Sequence, residues 1–462
     1  MFNAEIYRQR RNLLKQQIGS GFILFLGNQE SPMNYADNPY PFRQDSSFLY
    51  FWGLDSPGLA AIINVDEDKE VLLGNDLTVE QIVWTGPQET ISKKAEKAGV
   101  TASRPLHELE PLVKKANQKG QTVHYLPQYR ADNKLLLSSL MEIEASKINQ
   151  SVSTDLVKAV ISQRSIKSEE EIAQIEAALD ITYEMHTMAM KMTRPGMVER
   201  EVAGAMEGLV LSRGGQVAFP IIFSVHGETL HNPFHNNVMQ AGDIVVNDSG
   251  AVSAIHYASD ITRTIPVSGK FAEKQAHIYE IVLDALELAI QAIKPGKKFK
   301  EIHLLASKCL ATGLKDLGLM KGNVVEAVEA GAHALFFQCG LGHMMGLDVH
   351  DMEALGEDLV GYDEETRRSS QFGLSHLRLG KRLKPYYVLT VEPGIYFIPQ
   401  LIDQWKAQKR FPEFINYEMV EKFRDFGGIR IEEDIVVTED GCRILGKPIP
   451  RTIQEIEDLA SD

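Results

Sequence analysis

The sequence predicts an α+β chain of two domains. A smaller α/β domain spans residues 1–160, and a larger one spans 161–462, with a curved sheet carrying its helices outside. Three observations predict this. The 462 residues exceed what a single core usually covers. Strand-like and helix-like segments alternate over the first 155 or so residues, and the polar stretch ISQRSIKSEEE then opens a different pattern, which puts the boundary near 155–167. In that second pattern, helices stopped by Arg194-Pro195-Gly196 and Lys294-Pro295-Gly296 lie one hundred residues apart. Each is followed by a second helix and then by strands, as in a duplicated helix–helix–sheet unit.

The elements follow in order. GFILFLG (21–27), SSFLYFWGL (46–54), LAAIINV (59–65) and EVLLG read as strands, the last two joined by a turn at Asp66-Glu67-Asp68, and EETISKKAEKAG has the composition of a helix. Ser168 with Glu171 three residues on forms a capping box ahead of Ile172, Ile175 and Leu179 at helical spacing. Further helices are expected over Val198–Ser212, Ala272–Ile293 and Phe299–Leu317, with strands after each pair. The polar region 353–383 reads as a loop over a site or a solvated excursion.

Composition excludes several classes of protein. A hydrophobic fraction of 44% with 24% charge rules out a mainly disordered chain. The net charge of −15 is a poor match for a phosphate backbone, so nucleic acid is not an expected partner. No run approaches the roughly 18 apolar residues of a membrane span, so no membrane partner is expected either. MFNAEIYRQRRNLLKQQ carries charge without a following apolar stretch, unlike a secretory leader. Cys309, Cys339 and Cys442 are too few and too scattered for a disulfide framework, and the cytoplasm is the expected compartment.

Five side chains in the second domain end or interrupt apolar, strand-like runs. They are Asp248 in DIVVND, Asp260 in HYASDITRT, His343 in CGLGHMMGLDVHD, Glu392 in VLTVEPGIYF and Glu432 in GIRIEEDIVV. A carboxylate in such a context is costly to bury without compensating positive charge. Taken singly, an Asp at a strand end also serves as a turn or cap residue, and a His in a Gly-rich run as a structural group. Taken together and in order, the five suit divalent cations bound through oxygen atoms and one imidazole. Asp248 and Asp260 are expected to face each other across a hairpin turning through Gly250–Ala254. Their even separation demands an odd loop or a bulge.

The ordered set NDSG, YASDITRT, GLGHMMGLDVHD, LTVEPGIYF and GIRIEEDIVVT resembles the proline-specific metallopeptidases of the pita-bread superfamily, Xaa-Pro aminopeptidase and Xaa-Pro dipeptidase (prolidase). FRQDSSFLYFWGLDSPGLAAII resembles the N-terminal domain of that family, and KSEEEIAQIEAALDIT the first helix of its catalytic domain. The resemblance implies a pita-bread (creatinase/aminopeptidase-like) catalytic fold and two divalent ions. Manganese is the ion it suggests, with zinc, cobalt and iron open. Asp248 would hold one ion, His343 and Glu392 the other, while Asp260 and Glu432 would bridge both. It further implies that His231 in TLHNP and His350 lie near the scissile bond, that Arg430 is a site residue, and that Trp84 in VWTGP reaches toward a neighbouring subunit in a dimer or tetramer; a core position is the alternative for Trp84.

On chemical grounds, two cations would lower the pKa of a shared water, Glu392 would accept its proton, and His231 and His350 would polarise the carbonyl. The substrate would be a peptide with proline second, whose tertiary amide ordinary peptidases handle poorly. Two departures from the family pattern stand out. Cys339 occupies the position of the first histidine of HGLGH, where it would line the substrate site as a weaker donor, and the segment between Asp248 and Asp260 is one residue longer than usual. Arg378, in SHLRLGKRLKPYY, matches the prolidase arginine that clamps a substrate carboxylate. The YPFRQDSSFLYFWGLDSP segment points instead to the aminopeptidase. Xaa-Pro aminopeptidase is therefore the expectation, with prolidase as the alternative and a non-catalytic binding protein disfavoured because all five ligands are present.

Overall fold

A computed structural model describes residues 1–461. The chain forms two units, Met1–Arg164 with Glu353–Gly356, and Ser165–Met352 with the residues from Glu357 onward. The first unit is built on a five-stranded sheet. Its strands are β1 (Phe22–Leu26), β2 (Ala60–Asn64), β3 (Lys69–Leu73), β4 (Ser103–Arg104) and β5 (Val123–Tyr125), in the order β4-β3-β2-β1-β5. The first three form an antiparallel meander, and β4 and β5 add to its edges in parallel. Every residue of β1 is buried, as its unbroken apolar run demands.

One expected strand is a helix. Ser46–Trp52 turns helically because Asp45 accepts the N–H of Phe48 at its start and Gly53 closes its end in the left-handed region. All seven residues are buried, so the segment lacks the polar positions that would have revealed a helical period.

In the second unit, the Ser168–Glu171 capping box forms as read and starts a helix over Glu169–Met192. Helices over Glu199–Ser212, Glu273–Ala292 and Phe299–Asp316 follow within a residue or so of their expected ends. The repeat one hundred residues apart is structural. Gly196 and Gly296 both take positive φ, at 89° and 83°. Gly196 N–H donates to Met239 O and Gly296 N–H to Leu383 O. Val198 then bridges Val238 just as Lys298 bridges Arg382. Each Pro-Gly stop thus hands the chain from one helix to the next past an extended segment.

The sheet residues fall into three ladders. β6 (Ile222–Ser224), β7 (Ile244–Ser249) and β8 (Ile261–Pro266) form one. β9 (Val388–Val391), β12 (Glu433–Val437) and β13 (Cys442–Ile444) form another, and β10 (Gly394–Tyr396) pairs with β11 (Gly428–Arg430). Hydrogen bonds join the ladders: Glu432 N–H donates to Thr262 O, and Arg430 N–H to the Thr264 hydroxyl. The polar region 353–383 contains only short helical turns, at Glu353–Leu355, Glu357–Gly361 and Leu374–His376.

Candidate active site

All five candidate ligands line one cavity of about 400 Å³, together with His231, His350, Cys339 and Arg430. Strand geometry explains how they meet. β7 pairs with β8 so that Asp248 lies opposite Thr262, and the ladder extends to Val252 opposite Ala258. Asp248 and Asp260 are therefore diagonal neighbours on one face, not the directly opposed pair expected from sequence. The turn is the five-residue loop Ser253–Tyr257, later than Gly250–Ala254; its odd length satisfies the even separation, and His256 takes positive φ near its end, as in a bulged hairpin loop. Gly250 is required there, since a Cβ would meet Ser259 O at 1.9 Å.

Glu392 and Glu432 arrive by a related route. Val391 pairs with Glu433 and Gly394 with Arg430, and both pairs obey one antiparallel register. That register places Glu392 opposite Glu432, at the break between the β9–β12 and β10–β11 ladders, where Pro393 lacks the N–H that pairing needs. His343 enters beside β9: its N–H donates to the Thr390 hydroxyl at 3.2 Å, and Gly342 lets the backbones approach, as a Cβ there would meet Thr390 O at 2.0 Å.

Ligand atoms of Asp260, His343 and Glu432 lie within 4.8 Å of one another. His343 Nε2 is 3.4 Å from Asp260 Oδ2 and 3.5 Å from Glu392 Oε1. Its Nδ1 lies 3.1 Å from Met344 O, so the Nδ1–H donates there and Nε2 is the ring nitrogen that faces the carboxylates. Thr262 Oγ1 donates to Glu432 Oε2 at 2.7 Å, and Thr390 Oγ1 to Glu392 Oε1 at 3.3 Å. Arg430 pairs with Asp248 and also donates to Thr262 Oγ1 at 3.0 Å and Tyr396 OH at 2.9 Å.

The electrostatics are strained in the direction that a cation relieves. Burial first, then Asp248 and the other acids, push the Asp260 carboxyl well above the ordinary range. Glu432 is likewise raised well above it by burial and by Asp260, Glu392 and Asp248, while burial raises Glu392 against the pull of His343 and Arg430. Oδ1 of Asp248 and Oδ1 of Asp260 are buried without a hydrogen-bond partner. Oxygen donors without partners, one oriented imidazole and a surplus of buried negative charge fit divalent metal ions.

The remaining candidates divide. His350 packs edge-on to His343, with ring centroids 4.4 Å apart. Burial, with His343, Arg378 and His231 nearby, pushes its imidazole down to about 2, so it stays neutral. The Cys339 sulfur lies 3.9 Å from Tyr396 OH, and burial beside Glu392 pushes its thiol up to about 12. It is a protonated wall residue rather than a nucleophile. Arg378 is not among the cavity-lining residues; it pairs with Glu357 at 3.0 Å, close enough for His350 to feel its charge. Trp84 belongs to the first unit, on a helix over Val79–Thr85 with no buried residue, and is 82% exposed, which contradicts the core alternative.

Sequence reasoning missed Thr262, Thr390, Tyr396 and Asp434, the last of which accepts the Asp260 N–H at 3.0 Å. A signal existed for the first: Asp260, Thr262 and Thr264 alternate in DITRT and share a face.

Residues 173–439 match metallopeptidase family M24, and residues 7–124 match the aminopeptidase P N-terminal domain. The chain belongs to metallopeptidase family M24. Among curated relatives, human Xaa-Pro dipeptidase is 32% identical over 451 residues, covering 96% of this chain and 88% of that protein. Escherichia coli Xaa-Pro aminopeptidase is also 32% identical, over 98% of this chain and 97% of its own. Among solved structures, aminopeptidase P from E. coli with the inhibitor Pro-Leu matches with a TM-score of 0.82 at 30% identity, covering 100% of this chain and 98% of that one. The Zn-substituted E. coli aminopeptidase P in complex with product matches equally well. Among the described residues, no helix is long and apolar enough to cross a membrane.

Proposed function

We propose that the protein is an Xaa-Pro aminopeptidase that uses two divalent ions, manganese by preference, to cleave the bond between an N-terminal residue and a following proline. The observation that carries this reading is the cavity itself, where four carboxylates and His343 converge with two buried carboxylate oxygens unpartnered. Asp248 would hold one ion, His343 and Glu392 the other, and Asp260 and Glu432 both. When bound, the ions supply the charge that makes a water acidic enough to attack near neutral pH.

The chain's own residues then divide the work. Glu392, steadied by Thr390, accepts the proton of the attacking water. His350 is held neutral, so its N–H, with that of His231, donates to the carbonyl oxygen as charge develops there. Arg430 fixes Asp248 and is linked to the Cys339 wall through Tyr396. Phe219, Pro220, Leu230, Pro233 and Val349 supply apolar lining to the cavity, suited to a pyrrolidine ring. Three free cysteines accord with a cytoplasmic location.

A dipeptidase reading is favoured by one observation, the charge of Arg378 close to His350, where it could meet a substrate carboxylate. Steady-state rates on an Xaa-Pro dipeptide and an Xaa-Pro-Xaa tripeptide with added Mn2+ decide between them. Efficient cleavage of the tripeptide is expected. Cleavage of the dipeptide alone would establish the alternative, and cleavage of neither under any divalent ion would overturn both.

A further inference from the structure

We propose that Arg263 is a positioning residue for the bridging carboxylate Glu432, acting from the reverse face of its strand. This rests on the reading of Glu432 as a metal ligand. In β8, Thr262 and Thr264 turn toward the site ladders: Thr262 donates to Glu432 Oε2, and Thr264 to Arg430 O. Arg263 points the other way, opposite Asn247, whose side chain meets His186 of the Glu169–Met192 helix. It lines no part of the cavity, yet its side chain is fully buried.

From there the guanidinium makes five hydrogen bonds. Nη1 donates to Glu432 O at 2.6 Å and to Thr262 O at 3.0 Å. Nη2 donates to Glu433 Oε1 at 2.6 Å and Ile449 O at 3.1 Å, and Nε to Pro450 O at 2.9 Å. One planar group thus holds both backbone carbonyls of the crossing where Glu432 N–H meets Thr262 O. The same crossing carries the Thr262–Glu432 side-chain bond. Glu432 sits at a ladder break, where no regular pairing fixes its φ and ψ, so this clamp sets where its carboxylate points. A lysine offers three donors on one atom and cannot reproduce that fork.

The full chain, stripped of metal with EDTA, is titrated with Mn2+ by calorimetry as wild type, R263K and E433Q, with melting temperature and the Mn2+ dependence of kcat followed in parallel. Wild type is expected to take up two equivalents. R263K should bind at least one equivalent about 10- to 100-fold more weakly, the usual effect of losing a ligand's supporting partner. Its kcat should recover at saturating Mn2+. E433Q, which keeps an acceptor for Nη2 but removes the charge that strengthens that bond, should fall between. A purely structural arginine would lower the melting temperature and leave the isotherm unmoved; that result in folded R263K overturns the proposal, as does an unchanged E433Q isotherm if R263K fails to fold. A wild type that takes up fewer than two equivalents overturns the metal reading itself, and the proposal with it.

Discussion

Stripping the divalent ions should lower the melting temperature of the catalytic unit by about 9 °C, and the loss should be larger in alkaline than in acid solution. At a free Mn2+ concentration of about one hundred times the dissociation constant, each site adds about 2.7 kcal/mol, or about 5.4 kcal/mol for two independent sites. An unfolding entropy of about 2.1 cal/mol/K per residue, over a unit of about 300 residues, converts this to the stated shift. The pH dependence follows from the carboxyls. Asp260, Glu392 and Glu432 are all raised in the folded, metal-free protein. A raised acid contributes stability below its unfolded pKa of about 4 and loses it as pH rises through the folded value. Metal-free protein should therefore weaken as pH rises, and the increment from Mn2+ should grow, because protons and ions compete for the same oxygens.

Differential scanning fluorimetry of EDTA-treated protein with and without Mn2+, at roughly pH 5.5 and pH 8, reads both effects. D260N supplies an internal control of opposite sign. Removing one buried charge should make the metal-free variant more stable than metal-free wild type in the alkaline arm, while the Mn2+ increment shrinks. A melting temperature indifferent to Mn2+, or an increment that grows toward acid, would refute the charge argument.

Three further outcomes are expected. His303 and His333 are buried with all four ring nitrogens lacking hydrogen-bond partners, and burial pushes them down to about 3 and about 4. Both must stay neutral, so stability should fall as pH drops below about 6.5, by about 2 kcal/mol each at roughly pH 5, and H303F should remove its share in urea titrations. Cys339, with its thiol near 12, should react with iodoacetamide on the order of 10³-fold more slowly than an unperturbed thiol, read by peptide mass spectrometry. If the exposed helix of Val79, Val83 and Trp84 packs on another copy of the chain, W84E should reduce the mass seen by light scattering without changing the melting temperature.

Much of the site could be read from the sequence because each ligand breaks a rule. Asp248, Asp260, Glu392 and Glu432 place charge where strand patterning calls for an apolar side chain, and only a compensating cation makes that economical. The helices of the second unit were readable because Ser168 and the two Pro-Gly stops are local signals. What stayed hidden depends on register or on the reverse face. The Ser46–Trp52 helix is buried all round and so has no period to read. The diagonal placement of Asp248 and Asp260 needed the five-residue loop to be known. Arg263 reads in DITRT as one more charged residue of an alternating strand, because its five acceptors come from segments up to 187 residues away.

The ligands also sit where the sheet stops being a sheet. Glu392 lies between β9 and β10 and Glu432 between β11 and β12, at matching positions of one antiparallel pair. A continuous ladder would set two carboxylates side by side along a pleated surface, where like charges repel and both point the same way. Interrupting it frees the backbone to turn both groups toward His343, and the lost pairing is made up by Thr262 O, the Thr264 hydroxyl and Arg263. The break is thus a condition for the site rather than a flaw in the sheet. Closing it, for instance with P393V to restore the missing donor, should stabilise the metal-free protein while weakening Mn2+ binding. A P393V variant that binds Mn2+ as tightly as wild type would show that the interruption has no part in aiming Glu392.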